Sequence, residues 1–221
     1  HTAPGSQTEE AHSGQKGTVG WHLDESNIGL TLNLIDKLAS RYGSAPNLLG
    51  FELLNEPSPK IPHEILLNYY KKSYEVVRRY CNESIAVVVS DAFRPLEWGD
   101  AFDEHFLNVI LDVHLYQVFS PQDKKLSMHR HIQKALGEWK DLLGKIQANI
   151  PVMVGEWSLG LDQHALRGHD PYERDLAMKA YAAAQIHAFE ESKGWCFWTF
   201  KTENMDGWSL QKAIKYGWIK S

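Results

Sequence analysis

The sequence predicts an α/β fold in which strands and helices alternate around a parallel sheet. From about residue 25 onward, short apolar runs of strand length alternate with longer segments of helical spacing. The apolar runs carry polar residues almost only at their ends, which is typical of parallel strands buried on both faces. Composition agrees, because the 221 residues are 43% hydrophobic and 23% charged, as in an ordinary globular protein.

Five strands and four helices follow from this pattern. The strands are predicted over Leu48 to Leu54, Ile85 to Ser90, Val109 to His114, Pro151 to Glu156 and Trp195 to Phe200. The helices are predicted over Ser26 to Ser40, Pro62 to Cys81, Ser127 to Ile146 and Pro171 to Glu191. Residues 1–24 are predicted as loop and residues 94–106 as an irregular connection. No linker marks a second domain, so we expect a single domain over residues 1–221.

Charge and composition narrow the classes of partner. A formal net charge of -5 gives no basic surface, so we expect neither nucleic acid nor an anionic membrane as a partner. The chain has only 2 Cys, which cannot form a disulfide framework. Its 8 Trp, 9 Tyr and 8 Phe fit either a well-filled core or a surface on which sugars stack.

Polar or aromatic side chains stand near the C-terminal ends of four predicted strands. In parallel α/β proteins this edge of the sheet is where functional sites are built. The candidates are Asn55 and Glu56 after the first strand, His114 and Tyr116 at the third, Glu156 at the end of the fourth, and Trp198 inside the fifth.

Glu56 and Glu156 form a candidate catalytic pair. Glycosidic bond cleavage needs one carboxyl group to protonate the leaving oxygen and one carboxylate to face the anomeric carbon. The two residues are 100 positions apart, and an eight-unit barrel averages about 31 residues per unit, so we expect both at one mouth, about three strands apart. A single strand-end Glu would more often be a cap or a solvated loop residue, but the pair favours catalysis.

The neighbours of the pair suit the same chemistry. The Asn55 amide can donate to a sugar hydroxyl. His114 and Tyr116 are two apart on a strand, so they face the same side and can hold a carboxylate or a hydroxyl. A buried pair that satisfies polar groups of the core is the alternative for His114 and Tyr116.

Four sequence strings carry a resemblance to a known family. LLGFELLNEP, LDVHLYQVF, VMVGEWS and GWCFWTFKTE, in this order, resemble glycoside hydrolase family 5, whose members are retaining (β/α)8-barrel β-glycosidases. The stretch His1 to Gln7 is similar to the exo-β-1,3-glucanase and plant β-glucosidase branch, and residues 10–14 (EAHSG) resemble its plant-type continuation. The resemblance covers essentially the whole chain and implies a TIM barrel.

The resemblance also implies roles for individual residues. Glu56 would be the general acid/base, Glu156 the nucleophile and Asn55 the partner of the substrate 2-hydroxyl. In the implied mechanism Glu156 is ionised when it attacks, while Glu56 first donates a proton and later accepts one from water. The implied substrate-binding residues are His1, as the histidine of strand 3, His114 and Tyr116, beside the nucleophile, and Trp198, as the platform for the sugar ring.

The chain departs from the family pattern at two places. Thr8 stands where Asn is usual, and the arginine that strand 2 normally supplies has no position in this sequence. Counting from the N-terminus gives the strand-3 loop and strands 4 to 8, so strands 1, 2 and most of 3 are absent from this chain. The first residue is not Met, so we expect that an upstream segment has been removed. A second chain or copy would then complete the barrel, or the barrel is open.

The sequence therefore predicts a retaining β-glycosidase that hydrolyses β-glucosidic bonds, in a β-1,3-glucan or a β-glucoside. The alternative is a non-catalytic glycan-binding or inactive fragment of such an enzyme. We expect no cofactor and no required metal, since His129 and His131 lie two apart on a predicted helix and point in different directions. The family likeness suggests an extracellular, secreted protein.

Overall fold

The computed structural model describes residues 1–11 and 16–220, in two compact units, His1–Asp112 and Val113–Ser221. Five strands are hydrogen-bonded in the order β1-β2-β3-β4-β5. Their bounds are β1 Gly50–Glu52, β2 Ala86–Ser90, β3 Val109–Leu115, β4 Val152–Trp157 and β5 Trp195–Phe197. The pairs β1–β2, β2–β3 and β4–β5 are parallel. The predicted parallel α/β sheet is therefore confirmed.

The first unit packs two long helices with β1, β2 and the start of β3. Helix α1 (Glu25–Tyr42) begins where the Asp24 side chain accepts a hydrogen bond from the Ser26 N–H, and α2 (His63–Arg78) follows Pro62. All five residues of β2 are buried, which explains its apolar, β-branched sequence. The largest fully buried side chains of this unit are Trp21, Tyr69, Tyr70 and Trp98.

The second unit contains the end of β3, β4, β5 and the remaining helices. These are α3 (Met128–Lys134), α4 (Lys140–Gln147), α5 (Pro171–Phe189) and α6 (Leu210–Lys215). Helix α5 begins with a capping box, in which Asp170 and Glu173 satisfy each other's backbone N–H groups, and with Pro171 at its first turn. No described helix has both the length and the apolar character needed to cross a membrane.

One predicted helix, Ser127 to Ile146, is a composite in the structure. Between α3 and α4 the chain forms a π-helix over Ala135–Trp139. Buried side chains recur here every four residues, at 131, 135, 139 and 143. An α-helix turns every 3.6 residues or so, so a spacing of four would drift off the core face, and the wider π-turn brings these side chains back.

The other differences from the predicted elements lie at ends and in loops. Predicted strand Leu48 to Leu54 shortens to β1, and the predicted loop over residues 1–24 contains a 3₁₀-helix at Trp21–Leu23. Helix α6 was not predicted. Residues 12–14 of the EAHSG stretch lie outside the described residues.

The placement of Trp198 inside the last strand was wrong. Strand β5 ends at Phe197, because the chain then leaves the sheet to pair with a later segment. The Thr199 N–H donates to the Trp208 carbonyl at 2.8 Å, and the Leu210 N–H donates to the Thr199 carbonyl at 2.9 Å. These bonds replace the strand ladder that the apolar run to Phe200 predicts.

We expect Gly50→Ala to destabilise the first unit. A Cβ at this position would lie 2.7 Å from the carbonyl oxygen of Ala86, the strand partner of Gly50, so the backbones must move apart. Such overpacking should lower the free energy of unfolding by about 1–3 kcal/mol in urea unfolding followed by circular dichroism. Gly29→Ala is the control, because a Cβ there meets no atom within 4 Å and alanine favours helix. Equal stability of the two variants would contradict the prediction.

Candidate active site

In the first unit, the segment after β1 carries the predicted residues Asn55 and Glu56. The Leu53 N–H donates to the Val88 carbonyl at 3.0 Å, and the Tyr69 hydroxyl donates to the Leu53 carbonyl at 2.7 Å. These bonds keep the chain beside β2 as it leaves the sheet. Glu56 then has a φ of 42°, in the left-handed region that non-glycine residues rarely occupy. Such a conformation persists where surrounding contacts impose it, and it occurs often at functional sites.

The Gln7 side chain imposes much of that conformation. Its Nε2 donates to the carbonyl oxygens of Asn55 at 3.0 Å and His1 at 2.6 Å, and its Oε1 accepts from the Ala3 N–H at 2.9 Å. The Gln7 carbonyl also accepts from the Ser58 N–H at 2.8 Å. Gln7 is fully buried, so these bonds lock the N-terminal segment to the segment that holds Glu56. This role is not predictable from the sequence, because a glutamine inside a polar loop gives no signal of burial.

The structure brings His1 and Asn55 together. The Asn55 Nδ2 lies 3.2 Å from the His1 Nδ1. Because the amide nitrogen can only donate, a neutral His1 ring accepts at Nδ1 and carries its proton on Nε2. Both predicted sugar-binding side chains therefore lie side by side, with the buried Glu56 next in sequence to Asn55.

In the second unit, three predicted residues meet at one carboxylate, and we call them the Glu156 cluster (His114, Tyr116 and Glu156). The Tyr116 hydroxyl donates to the Glu156 Oε2 at 2.7 Å, and the His114 Nδ1 lies 3.6 Å from the same oxygen. Glu156 is next to last in β4, while His114 and Tyr116 lie at the end of β3. The His114 and Glu156 side chains are largely buried. Hydrogen-bond donors on a carboxylate favour its ionised form.

A second buried glutamine, Gln117, fixes the chain beside Tyr116. The Gln117 Nε2 donates to the His131 carbonyl at 3.2 Å, and the Gln117 Oε1 lies 2.8 Å from the His131 Nδ1. Because an amide oxygen only accepts, the His131 Nδ1 carries the proton. Gln117 and His131 are both buried, whereas His129 is exposed, so the two histidines face different ways as their helical spacing predicts.

Two aromatic side chains that the sequence did not single out, Trp208 and Phe119, pack beside Tyr116 of the Glu156 cluster. Tyr116 stacks on Trp208 with ring centroids 5.3 Å apart, and the exposed Phe119 lies 5.3 Å from Tyr116 and 5.9 Å from Trp208. Gly160 makes room for the indole, because a Cβ there would lie 2.4 Å from Trp208. Nothing local in the sequence indicates this, since Trp208 lies far from Tyr116 along the chain.

Trp198 follows β5 directly and is 39% exposed. Its backbone N–H donates to the carbonyl of Trp157, the residue after Glu156, at 2.8 Å. The backbone of Trp198 is thus tied to the strand that carries the candidate nucleophile.

The family is established by comparison with known proteins. Residues 12–204 match the model of the cellulase family, glycosyl hydrolase family 5. The chain therefore belongs to glycosyl hydrolase family 5, as the resemblance in the sequence indicates.

Individual relatives support the same family assignment. The chain is 31% identical, over 98% of its length, to a glucan 1,3-beta-glucosidase of Schwanniomyces occidentalis, and 31% identical over 98% to a probable glucan 1,3-beta-glucosidase of Arthroderma benhamiae. It spans 58% and 61% of the length of these two relatives. Among solved structures, the rutinosidase from Aspergillus niger superposes with a TM-score of 0.79 at 20% identity, covering 99% of this chain and 65% of that chain. At this identity the structural likeness concerns the fold alone.

Acidification should destabilise the second unit through His131. Burial lowers the pKa of His131 from 6.5, while Asp123 raises it and Lys134 lowers it further. The unfolded chain takes up this proton near the ordinary pKa and the folded chain only at lower pH. The free energy of unfolding therefore falls as the pH drops through 6.5 toward the folded pKa, and the full contribution of His131 is present above 6.5.

Urea unfolding between about pH 7 and about pH 5 measures this effect. We expect His131→Gln to lose less stability over this range than the wild type, because the titrating ring is gone. His129→Gln, which removes an exposed histidine of the same helix, should keep the wild-type dependence. A His131→Gln variant with the wild-type slope would show that the buried ring is not the titrating group.

Proposed function

We propose that this chain acts as a retaining β-glycosidase that hydrolyses β-glucosidic bonds, in a β-1,3-glucan or a β-glucoside, by double displacement. The carboxylate of Glu156, which accepts a hydrogen bond from Tyr116, is the observation that carries the proposal, because an ionised and oriented carboxylate is what a nucleophile requires. Membership of glycosyl hydrolase family 5 and the similarity to two glucan 1,3-beta-glucosidases support the substrate class.

The proposed reaction has two steps. In the first, a Glu156 oxygen attacks the anomeric carbon while Glu56 gives its proton to the glycosidic oxygen, so the bond to the leaving group breaks and a glycosyl ester forms. In the second, Glu56 takes a proton from water, the water oxygen attacks the anomeric carbon, and the ester bond to Glu156 breaks. Two inversions give net retention of configuration.

The remaining predicted residues would bind the sugar. Asn55 would donate to the 2-hydroxyl, with His1 beside it at 3.2 Å to orient the amide. His114 and Tyr116 would hold the nucleophile in its ionised form. The partly exposed Trp198 would offer its ring face to the sugar, as aromatic side chains do in carbohydrate sites.

We also propose that the five strands are five of the eight strands of a (β/α)8 barrel, with residues 1–221 in a single catalytic domain. The TM-score of 0.79 and the parallel strand order support a barrel. We further propose that a second chain or copy contributes further strands and that the protein is secreted. We also propose that it acts without metal, cofactor, nucleic acid or membrane. The alternative function is glycan binding without catalysis.

Azide rescue tests the proposed roles. Glu156→Gly should abolish hydrolysis of 4-nitrophenyl β-glucoside by the chain, because no nucleophile remains. Added azide can enter the space left by the side chain, attack the anomeric carbon and restore turnover with an α-glycosyl azide as product. Product configuration is read by nuclear magnetic resonance.

Glu191→Gly is the matched control, since Glu191 is exposed beyond α5 and should be dispensable. A β-glycosyl azide from Glu156→Gly would reverse the two carboxyl roles. A folded wild-type chain that binds laminarin without turning over either substrate would favour the glycan-binding alternative.

Tyr116→Phe tests the hydrogen bond to the nucleophile. Without the hydroxyl, the ionised form of Glu156 loses a donor at 2.7 Å, so the acidic limb of the profile of kcat/KM against pH should move to higher pH. Tyr80→Phe removes an exposed hydroxyl in the first unit and should leave the profile unchanged. An unshifted acidic limb in Tyr116→Phe would show that this bond does not set the ionisation that catalysis needs.

A further inference from the structure

A surface cavity of about 760 Å³ lies in the second unit, next to Trp208. Three parts of the unit line it: the loop after β4, the first half of α5, and the segment from residue 204 to Trp218. The lining combines the aromatic side chains of Trp208, Tyr216 and Trp218 with polar side chains, among them Arg174, Asp175 and Asn204.

Hydrogen bonds hold the walls of this cavity in place. The Trp218 Nε1 donates to the Asp175 Oδ1 at 3.0 Å, which joins the C-terminal segment to α5. The Lys212 Nζ donates to the Asp206 Oδ1 at 2.5 Å. The Leu159 N–H donates to the Gly207 carbonyl at 2.8 Å, so the loop after β4 is joined to the turn before Trp208. The cavity is therefore formed before any ligand binds.

The chemistry of the lining selects a neutral ligand with many hydroxyl groups. The ring centroids of Tyr216 and Trp218 lie 4.9 Å apart, and their ring planes meet at 50°. The two rings therefore offer an apolar surface for the C–H face of a sugar ring. Carboxylate, guanidinium and amide groups around them can accept from and donate to hydroxyls. Charges of both signs line the cavity, and Lys212 already neutralises Asp206, so neither an anion nor a cation is favoured.

Trp208 connects this cavity with the Glu156 cluster. Its ring stacks on Tyr116 and also lines the cavity. We propose that the cavity binds sugar residues of a β-glucan that extend beyond the residue held at Glu156, with Trp208 between the two positions. This inference rests on the proposed function, since it takes the sugar at Glu156 from there. A volume of this size falls in the range of small-ligand pockets.

Binding of laminarihexaose, a β-1,3-linked glucose hexamer, tests the cavity without catalysis. We compare the Glu156→Gln chain with the same chain carrying Tyr216→Ala, by isothermal titration calorimetry. Loss of one stacking ring should weaken binding about three- to tenfold. Tyr42→Ala is the matched control, because Tyr42 is 44% exposed in the first unit and Tyr216 is 40% exposed. Arg174→Ala, on the α5 wall of the cavity, serves as a second variant if Tyr216→Ala fails to fold.

Kinetics on the chain with Glu156 intact distinguish failure of the cavity as a glucan site from failure of the proposed hydrolysis. Tyr216→Ala should lower kcat/KM for laminarihexaose about three- to tenfold more than kcat/KM for 4-nitrophenyl β-glucoside, which is too short to reach the cavity. Equal losses on both substrates, or unchanged hexaose binding, would overturn the cavity as a glucan site, as would no hexaose binding at all. Hexaose binding that depends on Tyr216 without turnover of either substrate would support the cavity and reject the proposed hydrolysis.

Discussion

A parallel strand that is buried on both faces has no solvated position for a polar side chain along its length, and this constraint organises the whole structure. Strand β2, in which all five residues are buried, is the clearest case. Most polar side chains therefore lie near the points where strands end, whereas Asp112 is buried within β3. Glu56 lies in the segment after β1, Tyr116 follows β3 and Glu156 is next to last in β4. The same burial that stabilises the sheet thus concentrates its reactive side chains at one kind of place in the topology.

Two neutral amides hold these side chains, one in each unit. Gln7 binds the backbone of Asn55, beside Glu56, and Gln117, the residue after Tyr116, binds the backbone of His131. Each amide donates to a backbone carbonyl and also accepts a hydrogen bond, Gln7 from the Ala3 N–H and Gln117 from the His131 Nδ1–H. A lysine or an aspartate in either position would also orient the chain, but its charge would change the proton affinity of a nearby carboxyl group. Glutamine separates orientation from ionisation, so the charge on Glu156 is left to the groups that face its carboxylate, among them the Tyr116 hydroxyl and the His114 ring.

The sequence predicted what depends on local pattern. Apolar runs located all five strands, and the polar residues near their ends identified Asn55, Glu56 and the Glu156 cluster. His1 came from the family resemblance, and its contact with Asn55 was not predicted. The sequence could not predict Gln7, Gln117 or Trp208, because their roles come from contacts between segments distant along the chain. The prediction that the last strand extends to Phe200 was wrong for a related reason. Its backbone pairs with the segment around Trp208 instead of the sheet, and hydrophobicity carries no information on which partner a backbone chooses.

The close approach of Gly160 to Trp208 has an evolutionary consequence. The segment at residue 208 is tied to Thr199 through its backbone, so substitution of the indole need not move the chain. The indole itself fits only because residue 160 has no Cβ. In related sequences the two positions should covary: lineages with a small side chain at 208 are free to gain alanine or serine at 160, and lineages that keep tryptophan are bound to glycine. Ancestral changes at this pair would then record when the surface beside the cluster gained or lost its indole.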